Sequence, residues 1–361
     1  MATYLQSKYG GTTPGFAYSV GNEPDLWKVN KVSTEQLAHD AVTMVNTLKG
    51  FNIGRDVYGS SFAGVSTSDA AAFMPIAAAG GVHAFTAHNY PYGNKDCNVS
   101  AYLQKAPVAT ALGGKLAAVR AIRDAVAPGM LLVLEEVAGS SGGGCENVTD
   151  RFVAGFAWLT TLATVGASGF QRVHRQDIFG WSFAFGMSHY MLVGPAGWTN
   201  GSHAALTPHP DYYTTLLWRQ LVGRRVLNAS LAGPEAGAAF ASAWCAGSGA
   251  PYGAKGSVVL AWTNSQPTAL TVALPPALAA ARFTAFTLTA TADGDAQFAD
   301  LVSDAVYLNG QLLTTDDSGV VQGLPFAAPD QPASAVLTAP PYSYGFVVFD
   351  TAAADVPACA A

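Results

Sequence analysis

The sequence predicts an α/β chain on a parallel sheet followed by an all-β part, and three observations predict it. Met130-Leu-Leu-Val-Leu-Glu-Glu-Val137 is an apolar run of the kind that is covered on both faces, as parallel strands are. From residue 33 onward, stripes at helical spacing alternate with short apolar runs, the pattern of successive βα units. Past Val222 the chain changes to short β-branched runs divided by Gly, Pro and Asn.

The elements follow in order. Tyr18 to Trp27 starts as a strand and closes on Gly21-Asn-Glu-Pro24, because Pro24 has no N–H for a ladder and ends the pairing there. Ser33 and Gln36 fit a capping box, and Leu37, Ala41, Met44, Val45 and Leu48 form the helical stripe that Gly50 closes. Arg55 to Gly59 reads as a strand, Ser68 to Ala79 as a helix, and Val82 to His88 as a strand running into Asn89-Tyr90. Lys115 to Val126 is helical, the strand into Glu136 follows, and Asp150 to Thr164 is a further helix. Phe170 to Gln176 is the last parallel strand, and Pro210 to Leu221 is the closing helix after an insert around Trp181 to Ser202. Phe240 to Trp244, Ser257 to Trp262, Thr284 to Thr289, Ala305 to Leu308 and Tyr344 to Phe349 are strands of a second domain, expected to be a sandwich. The boundary falls between residues 1–221 and 222–361.

With 361 residues, half of them hydrophobic and 12% charged against roughly 25% in an average protein, the chain suits two compact domains. A net charge of −6, with no basic cluster larger than Arg224-Arg225, argues against a nucleic-acid partner. Pro275, Pro276 and Arg282 interrupt the longest apolar candidate, so no transmembrane segment is expected, which leaves room for peripheral membrane association. Four cysteines (Cys97, Cys145, Cys245, Cys359) are an even count, and Asn98, Asn147, Asn200 and Asn228 head glycosylation sequons. Cys97 and Cys145 each flank a sequon, which favours a secretory, oxidising compartment. Met1-Ala-Thr-Tyr-Leu-Gln-Ser-Lys8 has no apolar signal core, so a preceding N-terminal segment is expected.

Chemistry concentrates at two strand ends. Glu23 is a carboxyl fixed where a strand stops pairing, and Glu136 ends the most apolar strand just before Gly142-Gly-Gly144. The stretch between them holds about three βα units at roughly 30 to 40 residues each. Neighbouring strand residues face opposite ways, so only one of Glu135 and Glu136 points into a shared site. The Gly run brings backbone N–H groups close to an anion unobstructed, or is simply a flexible loop. His88, at a strand end, is either a site residue or a satisfied core histidine.

With these residues in place, the chain resembles the heparanase and plant β-glucuronidase (baicalin β-glucuronidase-like) family of retaining glycosidases. The likeness runs through Gly21-Asn-Glu-Pro24, Thr86-Ala-His-Asn-Tyr90, Leu134-Glu-Glu136 to Gly144, Val173-His-Arg-Gln176, Pro210-Asp-Tyr-Tyr213 with Leu221-Val-Gly223, Leu308-Asn-Gly310 and Pro341-Tyr-Ser-Tyr-Gly-Phe346. The order and spacing of these pieces are specific, although each is weak alone. The resemblance implies a (β/α)8 TIM barrel with catalytic groups at the C-terminal strand ends. Only five strands are readable, the fourth to the eighth, so the barrel is incomplete and its completion by an N-terminal segment is expected.

The resemblance further implies Glu23 as acid/base and Glu136 as nucleophile, with no cofactor and no metal. It implies Asn22 on the sugar 2-hydroxyl, Tyr90 holding the nucleophile, His88 lining the donor-sugar subsite, and Gly142 and Gly143 receiving the glucuronate carboxylate. Arg175 and Gln176 match a family Arg-Gln pair near the sugar acid, and Tyr190 follows the Trp181–His189 insert, where the chain departs from the family. Ser141 stands where the family has Tyr. A Cys245–Cys359 disulfide is implied in the same way, whereas Cys97 and Cys145, in the loops after two adjacent strands, are near enough to bond but without a family warrant. The implied activity is endo- or exo-hydrolysis of β-glucuronide linkages in a glycan or glycoside partner. Secretion, the cell wall or a lysosome or vacuole are the implied locations. The alternative is a non-catalytic carbohydrate-binding fragment whose first three strands are absent.

Overall fold

The structure, a computed structural model, describes residues 17–26, 32–51, 56–93, 97–182, 186–195, 206–253, 256–316, 321–322, 330–351 and 356–359. Of the sequence-predicted positions, Met1–Lys8, Trp27, Arg55 and the sequon Asn200 lie outside them. Five strands, β1 (Ala17–Val20), β2 (Asp56–Phe62), β3 (Ala84–Asn89), β4 (Leu131–Val137) and β5 (Arg172–Arg175), form one sheet in sequential order, every neighbouring pair parallel. Helices α1 (Thr34–Gly50), α2 (Thr67–Ala79), α3 (Gly113–Val126) and α4 (Ala154–Ala167) come between and after these strands. The arrangement is a partial TIM-barrel-like fold.

Each helix starts where its sequence allows. Ser33 Oγ accepts the Gln36 amide N–H at 3.2 Å, but the Gln36 side chain donates to Asp40 at 2.9 Å, so only half of the predicted capping box forms. Ser66 caps α2 by accepting the Asp69 N–H. Leu37, Ala38, Ala41, Val45 and Leu48 are buried along α1, whereas Met44 is only half-buried. α4 begins at Ala154 rather than Asp150, whose carboxylate is engaged with Arg151 and His189 instead.

The sheet's two faces differ in chemistry. Gly59 backs onto Phe73 of α2 and Ala41 of α1, where an added Cβ would lie 3.2 and 3.3 Å from them, and Phe62, Phe73 and Phe85 interlock at centroid distances of 5.4–5.9 Å. On the other face Tyr58, Ala84 and Val133 cluster with Ala17 and Leu131. The ladder slips at the C-terminal ends of three pairings: between Gly59 and Phe62, between Ala87 and His88, and between Leu134 and Val137. Bulges of this kind re-aim side chains.

α5 (Pro210–Leu221) runs directly into β6 (Val222–Leu227). The all-β part continues with β7 (Ala239–Ala246), β8 (Val258–Asn264), β9 (Leu270–Ala273), β10 (Phe283–Thr289), β11 (Tyr307–Leu308), β12 (Gln311–Leu312), β13 (Val336–Ala339) and β14 (Ser343–Phe349). Among the described residues an eight-stranded sheet has the order β6-β7-β8-β14-β10-β11-β12, with Asp330–Gln331 paired to β10, and β9 pairs with β13 in a separate two-stranded sheet. Cys245, Val258, Trp262, Ala339, Val347, Phe349 and Cys359 form an apolar cluster there.

Two compact units emerge, one of Met1–Tyr90, Thr110–Val137 and Thr164–Gln176, the other of Pro91–Ala109, Ala138–Ala163 and Asp177–Ala361. Within the second, Gly155 in α4 faces Tyr344 of β14 so closely that an added Cβ would lie 2.0 Å from the phenol oxygen. Phe152 stacks on that ring at 4.8 Å and Phe156 meets it edge-on at 4.9 Å. No helix among the described residues is long and apolar enough to cross a membrane.

Candidate active site

The first unit gathers Glu23, His88, Tyr90 and Glu136 at the C-terminal ends of its strands. After β1 the chain turns through Gly21 at φ +84° and Glu23 at φ +48°, and Pro24 opens a single 3-10 turn to Leu26. Left-handed φ is costly for a residue with a Cβ, about 1–3 kcal/mol, and persists only where neighbours fix it. Here the Glu23 N–H donates to the Ser61 carbonyl at 2.9 Å, and the Asp25 carboxylate accepts the Ala63 N–H at 3.0 Å.

His88 is buried, at 1% exposure, and its Nδ1 lies 3.0 Å from Glu23 Oε1 and 3.8 Å from Glu136 Oε2. The ring is hydrogen-bonded to the first carboxylate while standing beside the second. The Tyr90 hydroxyl donates a short hydrogen bond to Glu136 Oε1. Both carboxylates keep about a quarter of their side-chain surface open, 27% for Glu23 and 24% for Glu136, so they stay within reach of a ligand. Asn22 is exposed beside Glu23.

One atom from each of Glu23, His88 and Glu136 falls within a 4.8 Å sphere of mutual distances, a grouping that could hold a divalent cation. The donor set already serves another purpose, however. His88 Nδ1 stands at hydrogen-bond distance from Glu23 Oε1, and Glu136 Oε1 accepts the Tyr90 hydroxyl.

Glu135 separates from its neighbour at the β3–β4 slip, where His88 pairs with Glu136 directly after Ala87 pairs with Leu134. Glu135 Oε2 accepts from Ser61 Oγ at 2.5 Å, whereas Glu136 meets Tyr90 and His88. Next to Glu135, the desolvation of His174 pulls that ring below its ordinary value, and the Glu135 charge opposes this shift. Arg175 donates to the Val137 and Gln176 carbonyls, and the Gln176 N–H donates to Val137 at 3.0 Å, so both residues finish the β4–β5 end.

Gly142, Gly143 and Tyr190 lie in the second unit. Gly142, Gly143 and Gly144 have φ of +66°, +92° and +82°, and the Gly143 carbonyl accepts the His189 N–H at 2.6 Å. A Cβ at Gly144 would lie 2.5 Å from Thr149 Oγ1 and 3.1 Å from the Tyr190 N, so this position needs glycine for space as well as for φ. Thr149 Oγ1 accepts the Cys145 N–H at 2.8 Å and reaches the His189 carbonyl at 3.0 Å. Asp150 sits 3.7 Å from His189 Nδ1 and raises that ring above its ordinary value; burial and Arg151 oppose the shift, and Glu146 adds to it.

Cys245 is bonded to Cys359, and Cys97 to Cys145. The second bond joins the segment after β3 to the segment after β4, which are also laced by Tyr92 N–H to Gly139 O and Ser141 N–H to Gly93 O, both 3.1 Å. Of the sequons, Asn98 caps a short helix, with its Oδ1 accepting from the Ser100 N–H, and Asn147 accepts from Arg151. Asn228 follows β6 and is exposed. Sequence reasoning missed Ser61, Thr149 and His189. No periodicity or motif marks them.

The chain is similar to known carbohydrate-active enzymes. It is 26% identical over 344 residues to the heparanase of Mus musculus, covering 93% of this chain and 60% of that protein. It is 27% identical over 212 residues to the baicalin-beta-D-glucuronidase of Scutellaria baicalensis (59% and 34%), and 26% identical over 225 residues to the inactive heparanase-2 of Homo sapiens (60% and 35%). The chain thus spans about 60% of the length of the heparanases it matches. No family model matches. Among solved structures, a xyloglucanase of glycoside hydrolase family 44 from Paenibacillus polymyxa superimposes with a TM-score of 0.63 at 13% identity, covering 97% of this chain and 69% of that one. A 4-O-alpha-L-rhamnosyl-beta-D-glucuronidase from Fusarium oxysporum gives 0.60 at 16%, covering 92% and 70%. The fold of this chain is like those of these glycoside hydrolases, and in sequence the chain is similar to heparanases and glucuronidases.

Proposed function

We propose that this chain is the catalytic part of a retaining β-glucuronidase that cleaves β-glucuronide linkages in glycans or glycosides. The observation that carries the reading is the carboxylate pair: oxygens of Glu23 and Glu136 within 4.8 Å of each other, at the ends of two parallel strands, with His88 between them. Double displacement calls for carboxyl groups about 5–5.5 Å apart, against about 6.5–9.5 Å when a water must fit between them for inversion.

In the first step Glu136 attacks the anomeric carbon and forms a glycosyl ester, while Glu23 delivers its proton to the departing glycosidic oxygen. In the second, Glu23 removes a proton from water, which attacks the same carbon and releases Glu136. The Tyr90 hydroxyl fixes the Glu136 rotamer through Oε1, and His88 orients Glu23. Asn22 on the sugar 2-hydroxyl follows from the resemblance. So do receipt of the C6 carboxylate by Gly142 and Gly143, with Gln176 in reach of it, and substrate binding by Arg175 and Tyr190. The left-handed Gly142 and Gly143 support this recognition by offering backbone donors with no side chain in the way. Two disulfides support passage through an oxidising compartment, hence secretion, the cell wall or a lysosome or vacuole. The sheet pairs of the C-terminal part support a sandwich, in which β9 and β13 cover the larger sheet.

A second reading, a non-catalytic glycan-binding protein, draws on the likeness to inactive heparanase-2. Proton NMR of an aryl β-D-glucuronide digest tests both. The β anomer of glucuronic acid is expected first, faster than glucose from the matching β-glucoside. Equal rates would sink the glucuronate assignment, the α anomer first would sink retention, and glycan binding without turnover would establish the second reading.

A further inference from the structure

Glu135 is a third carboxylate at the same strand end, and the reaction proposed above does not use it. Its Oε2 is 2.5 Å from Ser61 Oγ, on a strand two places away in the sheet. Ser61 is buried, at 3% exposure, and has a left-handed φ of +52°, so its own contacts must hold it there. Three of them do. Its N–H donates to Thr86 Oγ1 at 2.8 Å, its Oγ lies 2.9 Å from Ser19 Oγ on β1, and its hydroxyl hydrogen goes to Glu135. What Ser61 in turn holds is the acid: its carbonyl accepts the Glu23 N–H at 2.9 Å. β1 pairs with β2 from Ala17 as far as Val20, so beyond it this bond and the Asp25–Ala63 contact fasten the turn carrying Glu23 to the neighbouring strand.

We propose that Glu135 and Ser61 are positioning residues for the acid/base, and that adjacent glutamates on one strand therefore divide the labour, Glu136 toward the anomeric carbon and Glu135 toward the placement of Glu23. The charge of Glu135 makes it the strongest acceptor available to the Ser61 hydroxyl. With that hydrogen committed, the Ser61–Ser19 contact takes its hydrogen from Ser19, and β1 is drawn to β2 just before the Glu23 turn. The inference rests on the reading of Glu23 as acid/base.

A misplaced acid reveals itself in leaving-group dependence. Dinitrophenolate departs without a proton, whereas an alkyl alkoxide needs one, and kcat/KM reports the first step alone for each. Glu135→Ala and Ser61→Gly, the latter a residue at ease with φ +52°, are to be assayed on dinitrophenyl and methyl β-glucuronides after thermal melts have shown them folded. The ratio of the two kcat/KM values is expected to widen about tenfold in each variant, part of the roughly 10²–10⁴ that general acid catalysis supplies. A common loss on both substrates, or no change, would overturn the positioning role. Abolition of both by Glu135→Ala with Glu136→Gln still active would overturn it by exchanging the roles of the two glutamates. A wild type inert toward both glycosides would instead defeat the glucuronidase reading, and the inference with it.

Discussion

At the level of single residues, the site assigns unequal weights to neighbours that look equivalent in the sequence. In the proposed mechanism Glu136→Gln removes the attacking oxygen and should lower kcat by about 10³-fold or more in steady-state assays, with the fold intact by circular dichroism. Tyr90→Phe deletes only the hydrogen bond on Oε1 and should cost about 10- to 100-fold, because a bond to a charged acceptor contributes about 1.5–3 kcal/mol. The reverse order would mean that Tyr90 has a direct chemical role. His189 adds a pH effect. Its folded pKa is raised by Asp150, so its stabilisation is complete below the unfolded value near 6.5 and is lost as pH rises through the folded value. Amide exchange at His189, whose N–H binds Gly143, should therefore be slower, relative to intrinsic rates, at pH 5.5 than at pH 8. His189→Gln should remove that difference, and an unchanged profile would show that the ring does not govern the loop.

Among the elements, the two disulfides make the plainest prediction. In the chain-entropy model the Cys97–Cys145 and Cys245–Cys359 bonds, spanning 48 and 114 residues, each contribute roughly 4–5 kcal/mol before strain. Non-reducing peptide maps should show these two pairs, and a reductant should lower the melting temperature; any other pairing would refute the arrangement. The elements themselves were largely legible, since apolar runs and helical stripes mark β2 to β5 and α1 to α5 with ends displaced by a few residues. Glu23 and Glu136 were legible as strand-end carboxylates, and the resemblance assigned their roles. The separation of Glu135 from Glu136 was not, because it depends on slips in the ladder at Ala87/His88 and Leu134/Val137, and strand periodicity assumes there are none. Ser61 was invisible for the same reason, lying within the Gly59/Phe62 slip. The partner of Cys97 needed the order of the strands as well as an even cysteine count.

For the whole molecule, net charge sets which substrates approach easily. At −6 and a pI near 5.6 the protein repels a densely sulfated polymer, and salt screens that repulsion over about 10 Å at 0.1 M. Between 0.05 and 0.2 M salt, kcat/KM on a sulfated glucuronan should rise, while that on a small aryl glucuronide stays level. A fall with salt would instead indicate a cationic groove. The contact between Gly155 and Tyr344 bears on how the gene can be divided. Helix α4 belongs by sequence to the barrel-like half, yet Phe156 in its first turn and Phe152 just before it pack on the phenol ring of β14. Expressing 222–361 alone would strand that ring in solvent as an adhesive spot, and grafting the C-terminal part onto another scaffold would require a helix with glycine at the matching position. Across related chains, a helix that gains a methyl at 155 should be matched by a smaller residue at 344, so the two positions should vary together although the proposed domain boundary runs between them.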